Sequence, residues 1–392
     1  MRRQLPGTSP ISAGALARAL AAPVTVPDAL ARLRELLAAR FEASDVRLYG
    51  SGTQALQASL RTAVDATGGA VALPGYSCFD MATAAVGSGA PLAFYDVDPR
   101  TLAPDPGSLE EALRAGATVV VAGNLYGLPL DWDVLGDLAA RYGAILVEDA
   151  AQGVGSRWNG RPGGTFGDLT VLSFGRGKGW TGGGGGALLG RGDRVSLAPE
   201  PDRAASGPRS LAVGLAHWTL GRPGLFGLAH AVPGLHLGET LYHDPGPLVR
   251  MARASAALIL STEDAARHEV AARRVRAAAW RNDLPDRLSP TLPTPVPGGV
   301  SAALRFPFLA PPGDAAQRSI LKRLQRFGAA PGYPAVLRDI PAVAPNVAES
   351  QQKFLDGAET LVSRLVTHPT HTFVTDREVW EATAILREIA GE

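Results

Sequence analysis

The chain has 392 residues, which is enough for two or three domains of ordinary size. Lysine plus arginine number 38 and aspartate plus glutamate 37, and this balance gives no electrostatic reason to expect a nucleic acid as partner. The single cysteine excludes an internal disulfide, and no apolar run follows the first arginines as it would in a signal peptide, so we expect a cytoplasmic protein.

The first half of the chain alternates short apolar runs with helix-like segments. Residues 28–41 have leucines and a phenylalanine at helical spacing. Strands of valine, isoleucine and leucine that alternate with helices are typical of an α/β fold with a mostly parallel sheet covered on both faces. The predicted strands are 45–49, 70–73, 91–95, 117–122, 144–148 and 169–174, and the predicted helices are 53–66, 78–88, 107–115 and 131–142.

The alternation ends near residue 190, and an apolar stretch follows a predicted loop at 196–210. Between residues 210 and 237 the only formal charge is Arg222. A membrane-spanning helix needs about 20 unbroken apolar residues, and Pro223 and Pro233 interrupt this run. A buried or interface segment is therefore favoured over a membrane contact.

The rest of the chain predicts a smaller α+β domain. A long helix at 250–281 precedes a proline-rich linker or edge loop at 283–299. We predict an N-terminal helical segment at 1–44, a large α/β domain at 45–245 and a small domain at 246–392. The elements predicted in the small domain are strand 302–309, helix 314–327, a strand-like run at 361–367 and helix 375–390.

The segment SFGRGKGWTGGGGG, residues 173–186, places a single lysine among glycines. It fails as a P-loop, because Lys178 is followed by Gly179 instead of serine or threonine. Gly177, Gly179 and Gly182 fit G-x-G-x-x-G, but a dinucleotide site needs a helix there, and five consecutive glycines cannot open one. A nucleotide-binding dehydrogenase is therefore disfavoured.

Two other polar features follow predicted strands. Asp149 ends one strand, where by itself it could cap a segment or pair with an arginine. Gly50–Thr53 opens a helix after another strand, which provides free N–H groups and a favourable dipole for a phosphate, or an ordinary N-cap. Parallel strands place such residues at one sheet edge, where ligands bind.

Together these features suit pyridoxal phosphate (PLP), which needs a lysine, an acid beside its ring nitrogen and a phosphate seat. Lys178, Asp149 and the Gly50–Thr53 turn provide these residue types. The glycines beside Lys178 would then let the chain pass close to the cofactor ring. A lysine–aspartate pair without a cofactor is the alternative.

From about residue 28 onward the sequence resembles the DegT/DnrJ/StrS family of PLP-dependent sugar aminotransferases, which have fold type I. The resemblance is carried most strongly by SGTQAL, LPGYSCFD, FYDVDPRTL, NLYGLPLDWDVL, ILVEDAAQGVGS, GTFGDLTVLSFGRGK and GGALL, and more weakly by RFPFL and HPTHTFVTDREV. It implies amino transfer from an amino acid such as glutamate to a keto-sugar, cyclitol or related intermediate. It also implies a homodimer, for which the apolar segment 210–241 is a candidate interface.

The resemblance assigns a role to each matching position. Lys178 would form the Schiff base with the cofactor and act as the catalytic base, and Asp149 would pair with the ring nitrogen. Gln152 would contact the ring hydroxyl. The phosphate would be held by Gly52, Thr53, Gln54 and Ser173.

Several positions depart from the family pattern. Cys78 stands where an aromatic residue usually stacks on the ring, with Phe79 beside it. Gly179 stands where the family usually has an asparagine after the lysine, and Gly184 where it usually has an acid. Asn124 stands where it has a histidine before LYG. The cofactor-binding residues are thus kept while those facing the substrate are changed.

The candidate substrate contacts are Arg176, Tyr126 and Trp180, for which a solvated or packing role is the alternative. The four histidines between 217 and 243 are spaced too widely for a zinc site, so no metal is expected. Two other functions stay open: a PLP-dependent lyase or dehydratase, and a non-catalytic regulator with the same fold.

Overall fold

The structure, a computed structural model, describes residues 3–26, 28–230, 241–288, 291–347 and 354–391. Eight of the strands in these ranges overlap the apolar runs predicted as strands, whereas the two-residue strands and a strand at 186–190 were not predicted. The strands are β1 (Asp45–Tyr49), β2 (Ala70–Pro74), β3 (Leu92–Tyr95), β4 (Val97–Asp98), β5 (Ala103–Pro104), β6 (Ala117–Gly123), β7 (Ile145–Asp149), β8 (Arg157–Trp158), β9 (Arg161–Pro162), β10 (Leu169–Ser173), β11 (Gly186–Gly190), β12 (Gly299–Val300), β13 (Arg305–Leu309), β14 (Ala330–Pro331) and β15 (Leu365–Pro369).

Helices cover the sheets and join them. They are α1 (Ala13–Thr25), α2 (Ala29–Phe41), α3 (Gly52–Thr67), α4 (Phe79–Ser88), α5 (Pro106–Arg114), α6 (Trp132–Arg141), α7 (Gly207–Leu220), α8 (Pro223–His230), α9 (Arg253–Asp283), α10 (Asp314–Leu324), α11 (Asp356–Arg364) and α12 (Asp376–Ala390).

A seven-stranded sheet with the order β1-β11-β10-β7-β6-β2-β3 forms the centre of the molecule. Strand β11 is antiparallel to both of its neighbours, and every other adjacent pair in this sheet is parallel. The carboxyl ends of the six parallel strands therefore lie at one edge. The predicted α/β fold with a mostly parallel sheet is confirmed; β11 was not predicted as a strand.

Both faces of the sheet are buried. On strand β6, Val119 and Val121 belong to the core under α3 and α4, whereas Val120 belongs to the core under α5 and α6. Successive residues of a strand point to opposite faces, so two covered faces require an apolar residue at nearly every position. This explains the continuous valine, isoleucine and leucine runs in the sequence.

A smaller antiparallel sheet, β13-β15-β14, forms with α10 and α12 the α+β part predicted at the C-terminal end. The strand-like run predicted at 361–367 is wrong in its first half, because α11 continues to Arg364 before β15 begins. In α11, Ala358 and Leu361 are buried at helical spacing, and a three-residue spacing places them on one helix face.

The apolar stretch after residue 207 folds into α7 and α8, and residues 231–240 of this predicted interface segment lie outside the described residues. No helix within the described ranges combines the length and apolarity needed to cross a bilayer.

The glycine run packs against neighbouring backbone and side chains instead of opening a helix. A Cβ atom at Gly182 would lie 2.3 Å from Ile259 Cγ1 on α9, and one at Gly186 would lie 2.3 Å from the Ser51 carbonyl oxygen. Real Cβ atoms do not approach other atoms so closely. Close packing against α9 and against the turn after β1 thus accounts for these two glycines.

Replacing Gly186 with alanine is therefore expected to reduce the free energy of unfolding by about 2–3 kcal/mol. The obstacle is backbone, since the Ser51 carbonyl carbon and the Gly52 nitrogen lie 2.5 and 2.6 Å from the added Cβ position. Urea denaturation measures the change. Gly136→Ala in α6 is the control, because nothing lies within 4 Å of its added Cβ and alanine there should stabilise by about 0.5–1 kcal/mol. Equal stability of the Gly186 variant and the unaltered protein would contradict the packing argument.

Candidate active site

The strand ends bring the predicted site residues to one edge of the sheet. Asp149 is the last residue of β7 and pairs in register with Val171 of β10. Tyr49 and Ser173, the last residues of β1 and β10, both lie opposite Gly186 of β11. The Gly50–Thr53 turn therefore lies beside Ser173 and near Asp149, as the strand order required.

Lys178 and Asp149 lie close enough to interact. Lys178 is half-buried and lines a cavity of about 270 Å³. Asp149 is buried, with 8% of its surface exposed, and its Oδ1 accepts a hydrogen bond from Ala151 N at 3.0 Å. Burial raises the pKa of Asp149, and the positive charge of Lys178 opposes that rise.

The amino end of α3 forms a cradle against Ser173. A Cβ atom at position 52 would lie 2.5 Å from Ser173 Cβ, so only glycine allows this approach. Ser51 caps the helix by accepting a hydrogen bond from Gln54 N at 3.2 Å, and Thr53 is half-buried in the first turn. First-turn N–H groups have no partner within a helix and favour an anion.

The Gln54 side chain points away from this cradle. Its Nε2 donates to the Pro247 carbonyl at 2.9 Å, and its Oε1 accepts from Val249 N at 3.3 Å. These bonds join α3 to the chain before α9. The amide side chain expected to bind a phosphate is thus occupied in this conformation.

Cys78 immediately precedes α4 and lies near the Lys178 and Asp149 pair. Burial, followed by the charge of Asp80, raises the pKa of the Cys78 thiol to about 12, and Lys178 and Asp149 are near enough to contribute. Phe79 joins the core under the sheet. Cys78 packs against the same core, and neither side chain lines the cavity.

Gln152 connects two tyrosines at the cavity wall. Its Oε1 accepts from Tyr126 N at 2.9 Å, and its Nε2 donates to the Tyr333 hydroxyl at 2.7 Å. Tyr126 has a left-handed backbone with φ of 54°, which is uncommon outside glycine. Tyr76 completes the group through a 3.3 Å contact between its hydroxyl and that of Tyr126.

Of the three candidate substrate residues, two line the cavity and one is buried in the core. Arg176 is exposed and lines the cavity together with Tyr126. Trp180 is fully buried, packs edge-on against Phe174 and donates from Nε1 to the Ile259 carbonyl at 2.9 Å. Because Trp180 is held in the core against α9 and does not line the cavity, a packing role replaces the substrate contact.

Sequence reasoning missed the parts of the cavity wall that come from the chain's two ends, among them Leu5–Gly7, Arg305 and Tyr333. The Pro6 carbonyl accepts from Arg305 Nη1 at 2.6 Å, and Ser9 Oγ accepts from Gly177 N at 3.1 Å beside Lys178. Arg305 falls in the fragment RFPFL, which gave the only signal.

A family model, the DegT/DnrJ/EryC1/StrS aminotransferase family, matches residues 27–387 of this sequence. The chain belongs to this family. The N-terminal segment at the cavity wall precedes the matched region.

Two curated aminotransferases illustrate the relationship. An L-glutamine:2-deoxy-scyllo-inosose aminotransferase of Streptoalloteichus tenebrarius is 37% identical over 139 residues, which cover 36% of this chain and 33% of that protein. A UDP-N-acetyl-3-dehydro-alpha-D-glucosamine 3-aminotransferase of Acidithiobacillus ferrooxidans is 36% identical over 124 residues, 32% of this chain and 34% of that protein. The matched stretch thus spans about a third of each relative's length.

A solved structure shares the fold over nearly the whole length of this family member. The Streptococcus pneumoniae protein Spr1654 in its PLP form superposes with a TM-score of 0.75 at 16% identity, covering 99% of both chains. The fold-type I architecture expected from the sequence is confirmed by this likeness.

Proposed function

We propose that this family member is a PLP-dependent aminotransferase that moves an amino group from an amino acid to the ketone of a keto-sugar or cyclitol. The observation that carries the proposal is Lys178 on a cavity wall with the buried carboxylate of Asp149 beside it. Glutamate is the donor predicted from the sequence, and the printed name of the Streptoalloteichus relative specifies glutamine.

The residues present fit PLP in type and arrangement. The cradle of Gly52 and Ser173 at the start of α3 suits the phosphate, because an added Cβ at position 52 would fill it. Asp149 suits the ring nitrogen and Lys178 the aldehyde. When bound, PLP supplies an electron-withdrawing ring that stabilises negative charge at the reacting carbon of the substrate.

The chain's own residues supply the proton transfers and the orientation. Lys178 lies half-buried at the cavity, and its Nζ is the base that would move a proton between the reacting carbon of the substrate and that of the cofactor. Burial raises the pKa of Asp149, and the charge of nearby Lys178 opposes that rise. A protonated ring nitrogen beside Asp149 would likewise favour its carboxylate form. The hydrogen-bonded pair Gln152 and Tyr333 lines the same cavity as Lys178.

A half-reaction titration tests this function. Glutamate and glutamine are added separately to the purified protein carrying its cofactor, and loss of the visible absorption band reports arrival of the amino group. Keto-sugars and keto-cyclitols are then screened for return of the band. If no amino acid discharges the cofactor, the aminotransferase proposal fails.

We also propose a homodimer formed through the apolar surface of α7 and α8. Leu215, Leu220 and Leu225 are 50%, 37% and 43% exposed, and such a group of exposed leucines is typical of an interface. Leu215→Asp is expected to weaken the dimer at least tenfold in sedimentation equilibrium, since it buries an unpaired charge. Val275→Asp, at a 68% exposed position of α9, is the control, and a monomer at all concentrations before mutation would contradict the proposal.

A further inference from the structure

Arg305, the first residue of β13, is half-buried, and its guanidinium has only neutral oxygen partners among the described residues. Its Nη1 donates to the Pro6 carbonyl at 2.6 Å, and its Nη2 donates to the carbonyls of Thr367 at 3.0 Å and Gly328 at 3.5 Å. Its Nε is buried and has no hydrogen-bond partner among the described residues. Since a guanidinium has five N–H groups, these contacts leave two of them available, one of which is on Nη1.

No negative charge compensates this cation in the described part of the chain. Burial lowers the pKa of Arg305 to about 10, and the groups that oppose this shift are the phenols of Tyr126 and Tyr333. The nearby His368 and His371 are uncharged near neutral pH, since burial lowers their pKa values to about 3 and about 4. A partly buried charge without a counter-ion loses hydration that no protein anion replaces, which favours an anion that arrives with a ligand.

The position of Arg305 indicates where that anion binds. Arg305 and Lys178 line the same cavity of about 270 Å³, together with Tyr126 and Tyr333. Burial raises the pKa of Tyr126 to about 12 and that of Tyr333 well above its ordinary value, so both phenols are neutral and can donate hydrogen bonds. A guanidinium with neighbouring hydroxyl donors is suited to a carboxylate.

We infer that Arg305 binds the carboxylate of the amino donor. This inference rests on the proposed function, in which the donor's nitrogen must reach Lys178 while its carboxylate lies elsewhere in the cavity. The cradle proposed for the cofactor's phosphate is distinct, because Gly52 and Ser173 do not line this cavity. Because Arg305 donates to the Pro6 carbonyl, the N-terminal segment is a positioning element for Arg305.

Binding of glutarate, an unreactive dicarboxylate, tests the site without turnover. Calorimetric titration of the protein carrying its cofactor should detect binding that weakens at least about 30-fold in Arg305→Gln. Glutaramide, which has no charge, should not bind. Arg364→Gln is the matched control, since its guanidinium also donates to a carbonyl, that of Ala310 at 2.8 Å, but does not line the cavity.

Comparing discharge of the cofactor by two amino donors distinguishes a role of Arg305 in donor recognition from a merely structural role. Arg305→Gln should raise the KM for L-glutamine at least about 30-fold, while discharge by an amino-cyclitol, which has no carboxylate, stays within about threefold. Arg305→Lys keeps the charge but loses the planar guanidinium, so its KM for L-glutamine should rise by an intermediate factor. This variant replaces Arg305→Gln in the test if Arg305→Gln does not fold.

Each outcome has a defined meaning. The inference is overturned if Arg305→Gln slows discharge by L-glutamine and by the amino-cyclitol equally. It is also overturned if glutarate does not bind the unaltered protein, or if Arg176→Gln loses glutarate binding while Arg305→Gln keeps it. If glutarate binds in an Arg305-dependent way but no amino acid discharges the cofactor, the carboxylate site stands and the proposed aminotransferase function fails.

Discussion

Lys178→Ala is expected to abolish amino transfer, lowering kcat by about 10³-fold or more. No other lysine lines the cavity among the described residues, so no second amine replaces the missing base. The variant should also lose the visible absorption band of lysine-bound cofactor while retaining its thermal stability, because position 178 lies in a loop and is half-buried. Absorption spectroscopy and the half-reaction assay measure the two effects.

Lys322→Ala provides the matched control for this prediction. Lys322 is exposed on α10, so its removal should change neither the spectrum nor the rate. Partial recovery of the Lys178 variant by an added primary amine would support a role as proton carrier. A variant that keeps both the band and the activity would show that the reacting amine is elsewhere.

Asp149→Asn should lower kcat by about 10²- to 10³-fold with little change in stability. The asparagine oxygen can still accept the hydrogen bond that Ala151 N donates at 3.0 Å, so the backbone at the end of β7 is kept. What is lost is a negative charge beside Lys178 at the sheet edge. Because Lys178 remains, the protein should still bind the cofactor, with a shifted absorption band.

Asp168→Asn is the control for loss of a carboxylate at this sheet. Asp168 lies at the opposite end of β10, where it accepts from Leu146 N at 2.8 Å, and its replacement should leave kcat within about threefold. Equal activity losses in the two variants would assign the effect to the sheet's integrity. Full activity of Asp149→Asn would remove Asp149 from the proposed mechanism.

The sequence by itself determined most of the central sheet and singled out the two groups proposed to react. Apolar runs and strand ends are local properties, so β1, β7 and β10 and the positions of Asp149 and Lys178 could be read without coordinates. The same reasoning missed β11, because its first residue ends a run of glycines that disfavours regular structure.

Only the tertiary structure decided which side chains face the cavity. Trp180, two residues after the lysine, turned out to be buried against α9, and Gln54 is tied to Pro247. Arg305 lines the cavity and donates a hydrogen bond to the carbonyl of Pro6, 299 residues away in sequence. Periodicity describes the neighbours of a residue along its own element, whereas these contacts depend on how distant elements pack, which no local pattern encodes.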